Sequence, residues 1–337
     1  MATRLAEMLP MVERKMPPVL ELIRGNIVKH GNPLALKGTE ISVWAKELNL
    51  PKTGDLLFYT GGEYQLLPFI DSLVKTMTVV DATSKGFSML LGVRNIIEKA
   101  GINAEKIYAS VLAKDKDRFN SVCLKAARIL QGLGYDLCYS AEDELYSGAL
   151  LYELGYWEDL TEYGKKVTQV IKESNAKTIV CLSPHAAEVI KLVYPKLGIL
   201  HDIKVKTFVE LVWEQREKLP KFNTTQSVAI HDSCRLAREL EITDEIRDIL
   251  DAAGVQIQEP KRNRAWTTCC GGPSKLLFPE LSHTIAGRRV DELKETGADV
   301  FLTSCPYCLS ALHGSAEKQD KESVEDLIEF LYRGIVG

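Results

Sequence analysis

The fold of this chain is decided by one stretch near its C-terminus, Asp299-Val300-Phe301-Leu302-Thr303-Ser304-Cys305-Pro306-Tyr307-Cys308. The apolar run Val300-Phe301-Leu302 predicts a buried strand. Proline is favourable at the first position of a helix, so a helix should begin near Pro306, directly after the strand. A strand that runs into a helix is the repeating unit of parallel sheets with helices on their faces.

The same pattern recurs upstream. Val228-Ala229-Ile230 predicts a strand that ends in His231-Asp232-Ser233-Cys234. In the N-terminal half, Leu56-Leu57-Phe58-Tyr59 and Thr178-Ile179-Val180-Cys181-Leu182 are the matching strands, and Ser183-Pro184-His185 follows the second of them. The spacing also matches, with 36 positions from Ser147 to Ser183 and 35 from Cys270 to Cys305. We therefore predict an α/β protein with two repeated domains, each a parallel sheet flanked by helices.

The repeat divides the chain into three predicted segments. Residues 1–50 form an N-terminal helical extension, 51–222 the first repeat and 223–337 the second. The first repeat carries a helical insert at about 75–120, where apolar residues recur at helical spacing. Further helices are predicted at 17–30 and 281–296. The residues behind these predictions are Phe87, Leu90, Leu91, Val93, Ile96 and Ile97 in the insert, Leu20, Ile23 and Ile27 in the first helix, and Leu281, Ile285, Val290 and Leu293 in the last.

The composition limits the possible functions. The chain has 337 residues, 45% of them hydrophobic, and a formal net charge of −4. That charge argues against a nucleic acid as partner. We find no secretory signal and no transmembrane segment, and we expect a cytoplasmic protein, alone or peripheral to a membrane complex.

Five of the eight cysteines are regularly spaced in the last third of the chain: Cys234, Cys269, Cys270, Cys305 and Cys308. In a reducing compartment this pattern favours a metal site over disulfides. Zinc remains an alternative to iron, since both metals bind thiolates. Adjacent cysteines fit more easily around a cluster of several irons than around one small tetrahedral ion. Cys123, Cys138 and Cys181 are interpreted as buried, inert thiols.

The run Cys269-Cys270-Gly271-Gly272-Pro273, with Cys234 upstream and Cys305-Pro306-Tyr307-Cys308 downstream, resembles the cysteine-rich CCG domain. That domain occurs in the B and D subunits of heterodisulfide reductase and in iron–sulfur subunits of glycolate and lactate oxidising systems. The resemblance covers about residues 54–337. It implies that the five cysteines are the metal ligands of one noncubane [4Fe-4S] cluster.

The first repeat departs from the family at every ligand position. Those positions carry Gly62, Tyr146, Ser147, Ser183 and Ala186, none of which is a thiolate. We therefore expect no cluster in the first domain, and its surface should serve as scaffold, as partner surface or as one wall of the site. The departure also argues against a mechanism in which two clusters act on one disulfide.

Other residues near the cysteines have less specific interpretations. His231 lies three residues before Cys234 and is a candidate catalytic residue, either towards the cluster or on substrate protons, with a structural histidine as the alternative. Arg235, Lys261, Arg262 and Arg264 could bind an acidic substrate or form a solvated basic loop. Trp266 could cover the cluster or pack, and His185 and His313 are interpreted as structural.

The resemblance implies an oxidoreductase subunit of a heterodisulfide-reductase-like complex, acting on a thiol or disulfide and inactive without its partners. An electron-transfer subunit of a glycolate or lactate oxidising system that delivers electrons towards quinone is the alternative. A structural zinc protein that serves assembly is a third hypothesis. Since the sequence carries no nucleotide fingerprint and no ferredoxin run, we expect the electrons to arrive from other chains. The resemblance implies a ferredoxin-like iron–sulfur subunit and a flavoprotein subunit as partners, besides a small sulfur-containing substrate. The apolar stripe of the helix at 17–30 could either join the core or bind the ferredoxin-like subunit.

Overall fold

The computed structural model describes residues 18–79, 116–199, 202–318 and 320–336. Its strands are β1 Leu56–Tyr59, β2 Leu137–Cys138, β3 Thr178–Cys181, β4 Lys204–Thr207, β5 Val228–Ile230, β6 Val300–Thr303 and β7 Val324–Asp326. Its α-helices are α1 Pro18–His30, α2 Gly38–Ile41, α3 Glu63–Val79, α4 Lys116–Gly132, α5 Ala149–Glu153, α6 Trp157–Glu173, α7 Pro184–Glu188, α8 Tyr194–Lys196, α9 Phe208–Glu214, α10 Glu245–Ala252, α11 Pro279–Lys294, α12 Pro306–Ser315 and α13 Leu327–Val336.

The strands form two parallel sheets, which confirms the predicted fold class. The first sheet has the order β2-β1-β3-β4 and the second the order β5-β6-β7. In the second sheet, a single parallel bridge between Val228 and Ile257 takes the place that β2 has in the first. The two sheets therefore share one strand order, as expected of an internal repeat. The domain boundaries at residues 50 and 222 stay a prediction.

The pairing of β5 with β6 brings the cysteines together. Val228 pairs with Val300 and Ile230 with Leu302, so both strands end at the same edge of the sheet. Ligands gather at the carboxyl edge of parallel sheets because loops leave every strand on that side. Cys234 follows β5 and Cys305 follows β6, which places both thiols at this edge.

Helix α1 packs on the protein's own core. Leu20, Ile23 and Ile27 are at most 1% exposed and belong to the same core cluster as both sheets. This apolar stripe is therefore not available to a ferredoxin-like partner, and the idea that such a partner binds to it is wrong.

Helix α11 covers the second sheet with a different stripe from the one predicted. Val290 and Leu293 are buried as expected, but Leu281 is 55% exposed. The helix begins at Pro279, so Leu281 lies in a first turn that is turned towards solvent, and Arg289 lies on the buried face instead. The predicted insert falls largely at residues 80–115, outside the described residues.

Candidate metal centre

The turn that carries Cys234 is held by a buried ion pair. Arg247 donates to both carboxylate oxygens of Asp232, at 2.6 and 2.9 Å, and the backbone N–H of Arg264 donates to the same group at 2.6 Å. A planar guanidinium that binds both oxygens of a carboxylate fixes its orientation as well as its position. The thiol two residues after Asp232 is therefore presented from a rigid turn, and it is partly exposed.

The Cys-Cys-Gly-Gly turn places two backbone amides on its own sulfurs. The N–H of Gly271 donates to Cys269 Sγ and the N–H of Gly272 donates to Cys270 Sγ, both at 3.3 Å. Gly271 has φ +73°, a conformation that favours glycine. A Cβ on Gly272 would lie 2.9 Å from the carbonyl oxygen of Tyr307. The two glycines thus let this turn approach the Cys305–Cys308 turn closely.

The Cys-x-x-Cys unit forms the first turn of α12. Cys305 is the N-cap residue of the helix, Pro306 occupies its first position, and Cys308 follows within the first turn. Both thiols are buried. The positive end of the helix dipole and its free amides favour negative charge at this position, which suits thiolate ligands.

The five predicted cysteines come together in one connected group. Hydrogen-bond contacts between side chains run in series from Cys234 to Cys269, then to Cys270, Cys308 and Cys305. Cys269 is exposed and Cys234 is partly exposed, whereas the other three are buried. The group therefore has one edge open to solvent and one edge deep in the protein.

The thiols divide into two kinds by their pKa values. Hydrogen bonds from Cys234 and Cys270 lower the pKa of Cys269 to about 2. Burial alone would raise the pKa of Cys305, but hydrogen bonds from Cys308 and His185 hold it well below its ordinary value. Donation to these thiolates raises the pKa values of Cys234, Cys270 and Cys308. Metals bind thiolates rather than thiols, so the group holds negative charge where a metal would bind.

His231 lies beside the buried end of the group. A ring nitrogen of His231 and the sulfurs of Cys270 and Cys308 all lie within 4.8 Å of one another. The imidazole is 1% exposed, and burial together with the charge of Arg289 lowers its pKa to about 3. His231 is therefore neutral and faces sulfur rather than solvent.

The first repeat supplies a wall of the site through His185, for which the sequence predicts only a structural role. His185 hydrogen-bonds Cys305, and its Nδ1 lies 2.8 Å from a carboxylate oxygen of Glu153. Burial alone would lower the pKa of His185, but Glu153 and Cys305 raise it well above its ordinary value. Its ring lies 4.4 Å from that of Tyr307, which holds the equivalent position in the second repeat.

The positions that lack cysteines in the first repeat have partners of their own. Ser147 donates to Glu63 at 2.6 Å, and Ser183 donates to the other oxygen of the same carboxylate. Glu63 is 2% exposed, and burial raises its pKa to about 7. Tyr146 reaches across to Tyr307 at 3.3 Å between hydroxyl oxygens. A buried carboxylic acid and hydroxyl groups therefore lie at or beside positions that the repeat aligns with cysteines of the second half.

Three of the arginine and lysine side chains suggested as binders of an acidic substrate already have acidic partners. Arg235 pairs with Glu188 at 2.8 Å and with Glu153 at 3.3 Å, Arg264 pairs with Asp244 at 2.7 Å, and Arg262 pairs with Glu292 at 3.4 Å. Lys261 is exposed. Trp266 is 85% exposed, so it does not cover the site.

The remaining cysteines are separate from the group. Cys123, Cys138 and Cys181 are buried, as predicted. Burial raises the pKa values of all three, that of Cys138 to about 11. Thiols of this kind are unreactive.

The distances between the sulfurs indicate which metal the site fits. Four thiolates bound to one zinc ion at about 2.3 Å would lie about 3.8 Å from one another. In the part of the chain that the structure describes, no four cysteines have their sulfurs all within 4.8 Å of one another. The five sulfurs extend beyond the shell of a single ion, and this donor set fits a polynuclear iron–sulfur cluster.

Comparison with known proteins agrees with this chemistry. The sequence model of the cysteine-rich domain family, CCG, matches residues 228–313. The chain is 28% identical to the probable iron-sulfur-binding oxidoreductase FadF of Bacillus subtilis over 66% of its length and 32% of that protein. It is 28% identical to the EtfAB:quinone oxidoreductase of Syntrophomonas wolfei, over 72% of this chain and 36% of the relative.

A third relative is the D subunit of the dihydromethanophenazine:CoB–CoM heterodisulfide reductase of Methanosarcina acetivorans, 28% identical over 62% of this chain and 54% of the relative. The chain thus spans between about a third and about half of the length of these relatives. Both the family match and the relatives imply an iron–sulfur cluster. All five spaced cysteines fall within the matched range, and the chain therefore carries, at residues 228–313, a cysteine-rich domain of the CCG family.

Proposed function

We propose that this chain is an iron–sulfur oxidoreductase subunit in which Cys234, Cys269, Cys270, Cys305 and Cys308 hold one noncubane [4Fe-4S] cluster. The observation that carries the proposal is the single series of sulfur contacts through all five cysteines. Five thiolates exceed the four that a cubane takes, so one iron site would differ from the others. The first repeat is proposed to hold no cluster, since Ser147 and Ser183 bind the Glu63 carboxylate.

The first candidate reaction is reduction of a disulfide, or its reverse, at the open edge. Reduction takes two electrons and two protons and releases two thiols. When bound, the cluster would supply electrons one at a time. The exposed side of Cys269 gives a sulfur substrate a path to this edge, while Cys305 and Cys308 stay shielded from water. The relatedness to the D subunit of heterodisulfide reductase supports this candidate.

The second candidate is electron transfer alone, towards quinone, as in a glycolate or lactate oxidising system. The pairing of Arg235 and Arg264 with acids favours it, because a cation that is already neutralised attracts an anionic disulfide less strongly. FadF, the EtfAB:quinone oxidoreductase and the lactate utilization protein A of Halalkalibacterium halodurans support this candidate.

Both candidates require other chains. Several relatives are named as subunits, and we propose a ferredoxin-like subunit and a flavoprotein subunit as electron partners. Among the described residues, no helix combines the length and the apolarity needed to cross a bilayer. We propose that the complex works in the cytoplasm or at the surface of a membrane complex.

One experiment separates the two reactions. The full chain, reconstituted anaerobically, is reduced with a viologen dye and mixed with an anionic disulfide, an uncharged disulfide or a soluble quinone analogue. Thiol release that is catalytic in the protein and lost in Cys305→Ala supports the first candidate. Cluster reoxidation by the quinone without thiol release from either disulfide supports the second. Wild-type protein that takes up no iron would contradict both.

A further inference from the structure

The strongest feature that the proposed function leaves unused is a fully buried arginine behind His231. Arg289 lies on the buried face of α11 and is 0% exposed. Its Nε donates to His231 Nδ1 at 3.0 Å, Nη1 donates to the carbonyl oxygen of Arg262 at 3.0 Å, and Nη2 donates to that of Ile230 at 3.4 Å. Nη1 also pairs with Glu292 at 2.8 Å. The guanidinium is therefore fixed by four partners from three parts of the second repeat.

This contact determines the tautomer of His231. A guanidinium can only donate hydrogen bonds, so His231 Nδ1 must accept and cannot carry a proton. The neutral imidazole then carries its proton on Nε2. Nε2 is buried, and within the described part of the chain it has no hydrogen-bond partner. The structure thus contains a buried N–H donor without an acceptor, an arrangement that costs stability unless an acceptor is supplied.

The candidate acceptors near the ring are sulfurs. A ring nitrogen of His231 lies within 4.8 Å of the sulfurs of Cys270 and Cys308, and Nδ1 is already occupied by Arg289. An Nε2 that carries a proton has no lone pair for a metal, so His231 cannot be a sixth ligand while Arg289 holds it. On this ground the histidine is also unsuited to be a general base.

We infer that Arg289 holds His231 as a permanent N–H donor to sulfur at the buried end of the metal centre, and that this donor raises the reduction potential of the cluster. The inference rests on the proposed function. Its physical reason is that a reduced cluster carries more negative charge, so an N–H donor to sulfur stabilises the reduced state more than the oxidised one. The donor would add to those that Gly271 and Gly272 give to Cys269 and Cys270. His231 would touch the cofactor, whereas Arg289 is a positioning residue that acts through it.

The test is a redox titration of the anaerobically reconstituted full chain, followed by electron paramagnetic resonance, with iron content measured in parallel. His231→Leu removes the donor, and His231→Gln keeps a side-chain N–H. His283→Leu is the control, since His283 is exposed and contacts Ser315. We expect unchanged iron, a lower potential in His231→Leu, a smaller shift in His231→Gln and no shift in His283→Leu. Arg289→Met should lower the potential as well, because Nε2 would no longer be held as the donor.

A second measurement on wild-type protein keeps the inference falsifiable if a variant fails to fold. With ¹⁵N-labelled histidine, pulsed paramagnetic resonance should show only the weak nitrogen couplings of hydrogen bonds, from His231 and from His185, which contacts Cys305. A strong coupling, typical of a nitrogen bound to iron, would overturn the inference and leave the proposed function intact. An unchanged reduction potential in well-folded His231→Leu would also overturn the inference and leave the proposed function intact. Wild-type protein without iron would overturn the proposed function, and the inference with it.

Discussion

At the scale of single residues, the centre depends on a few side chains that the sequence pattern indicates and a few that it does not. The five cysteines could be predicted because their spacing is visible in the chain. His185, Arg289 and Glu63 could not, because each acts through contacts between residues far apart in sequence. Arg289 meets His231 across 58 positions, and Ser183 meets Glu63 across 120. For His185 the sequence did carry one signal, because the repeat aligns this residue with Tyr307, which lies between Cys305 and Cys308.

The cysteine assignments give the first prediction at this scale. Cys305→Ala should lose the cluster, because its buried thiolate is fixed by both Cys308 and His185. Cys269→Ala should reshape the cluster, since that thiolate lies at the open edge. Cys123→Ala should leave it unchanged, because this thiol lies in the apolar core. Iron content and absorption spectra of the three variants check this, and equal spectra would contradict the assignment.

The Cys-Cys-Gly-Gly turn gives a second prediction at the scale of single residues. In Gly272→Ala the new Cβ would lie 2.9 Å from the Tyr307 carbonyl oxygen, so one of the two cysteine turns must move. Overpacking of this kind costs about 1–3 kcal/mol. We expect a lower melting temperature and reduced iron occupancy. Gly287→Ala is the matched control, because a Cβ there meets nothing within 4 Å. Equal losses in the two variants would show that the close approach of the turns is unimportant.

At the scale of elements, the central strands β1, β3 and β6 and the edge strand β5 could be predicted, whereas the other edge strands could not. β1, β3, β5 and β6 are continuous apolar runs, as expected of strands covered on both faces. β2, β4 and β7 lie at sheet edges. Lys204–Thr207 alternates lysine with other residues and Val324–Asp326 contains two acids, so neither resembles a buried strand. Edge strands are half-covered and often charged, which removes the apolar signal.

The first turn of α11 offers an element for partner docking in place of α1. Leu277, Phe278 and Leu281 are 42%, 54% and 55% exposed, and they follow the Cys-Cys-Gly-Gly turn in the chain. Neighbouring exposed apolar residues are typical of interaction surfaces. Leu281→Asp should weaken copurification of the electron-transfer partners without changing the iron content. Val336→Asp, at a site 66% exposed on α13, is the control. Undiminished copurification with Leu281→Asp would place the docking surface elsewhere.

At the scale of the whole molecule, the first repeat contains buried acids. Glu144 is 8% exposed and accepts from Thr60 at 2.7 Å, and burial raises its pKa to about 7 from 4.5. The folded state therefore binds more protons than the unfolded chain between these two values. The contribution of Glu144 to stability is therefore greatest below pH 4.5, and it falls as the pH rises towards and through about 7.

This fall in stability with rising pH gives a prediction that does not involve the metal centre. Between pH 5 and pH 8 the wild type should lose about 2–3 kcal/mol of unfolding free energy at Glu144. Glu144→Gln has no charge to bury, so its stability relative to the wild type should rise by that amount over the same range. Denaturation curves at the two pH values measure it. Glu142→Gln, at an exposed position, should show no such trend. A parallel pH trend in Glu144→Gln and wild type would mean that Glu144 is not the group that titrates.

The central claim is that five cysteines of one CCG domain hold one cluster, and the metal content of the whole chain tests it most directly. Protein prepared and reconstituted without oxygen should contain about four irons per chain, as a four-iron cluster requires. The same preparation of Cys305→Ala should contain little iron. Stoichiometric zinc with no iron in the wild type would contradict the account.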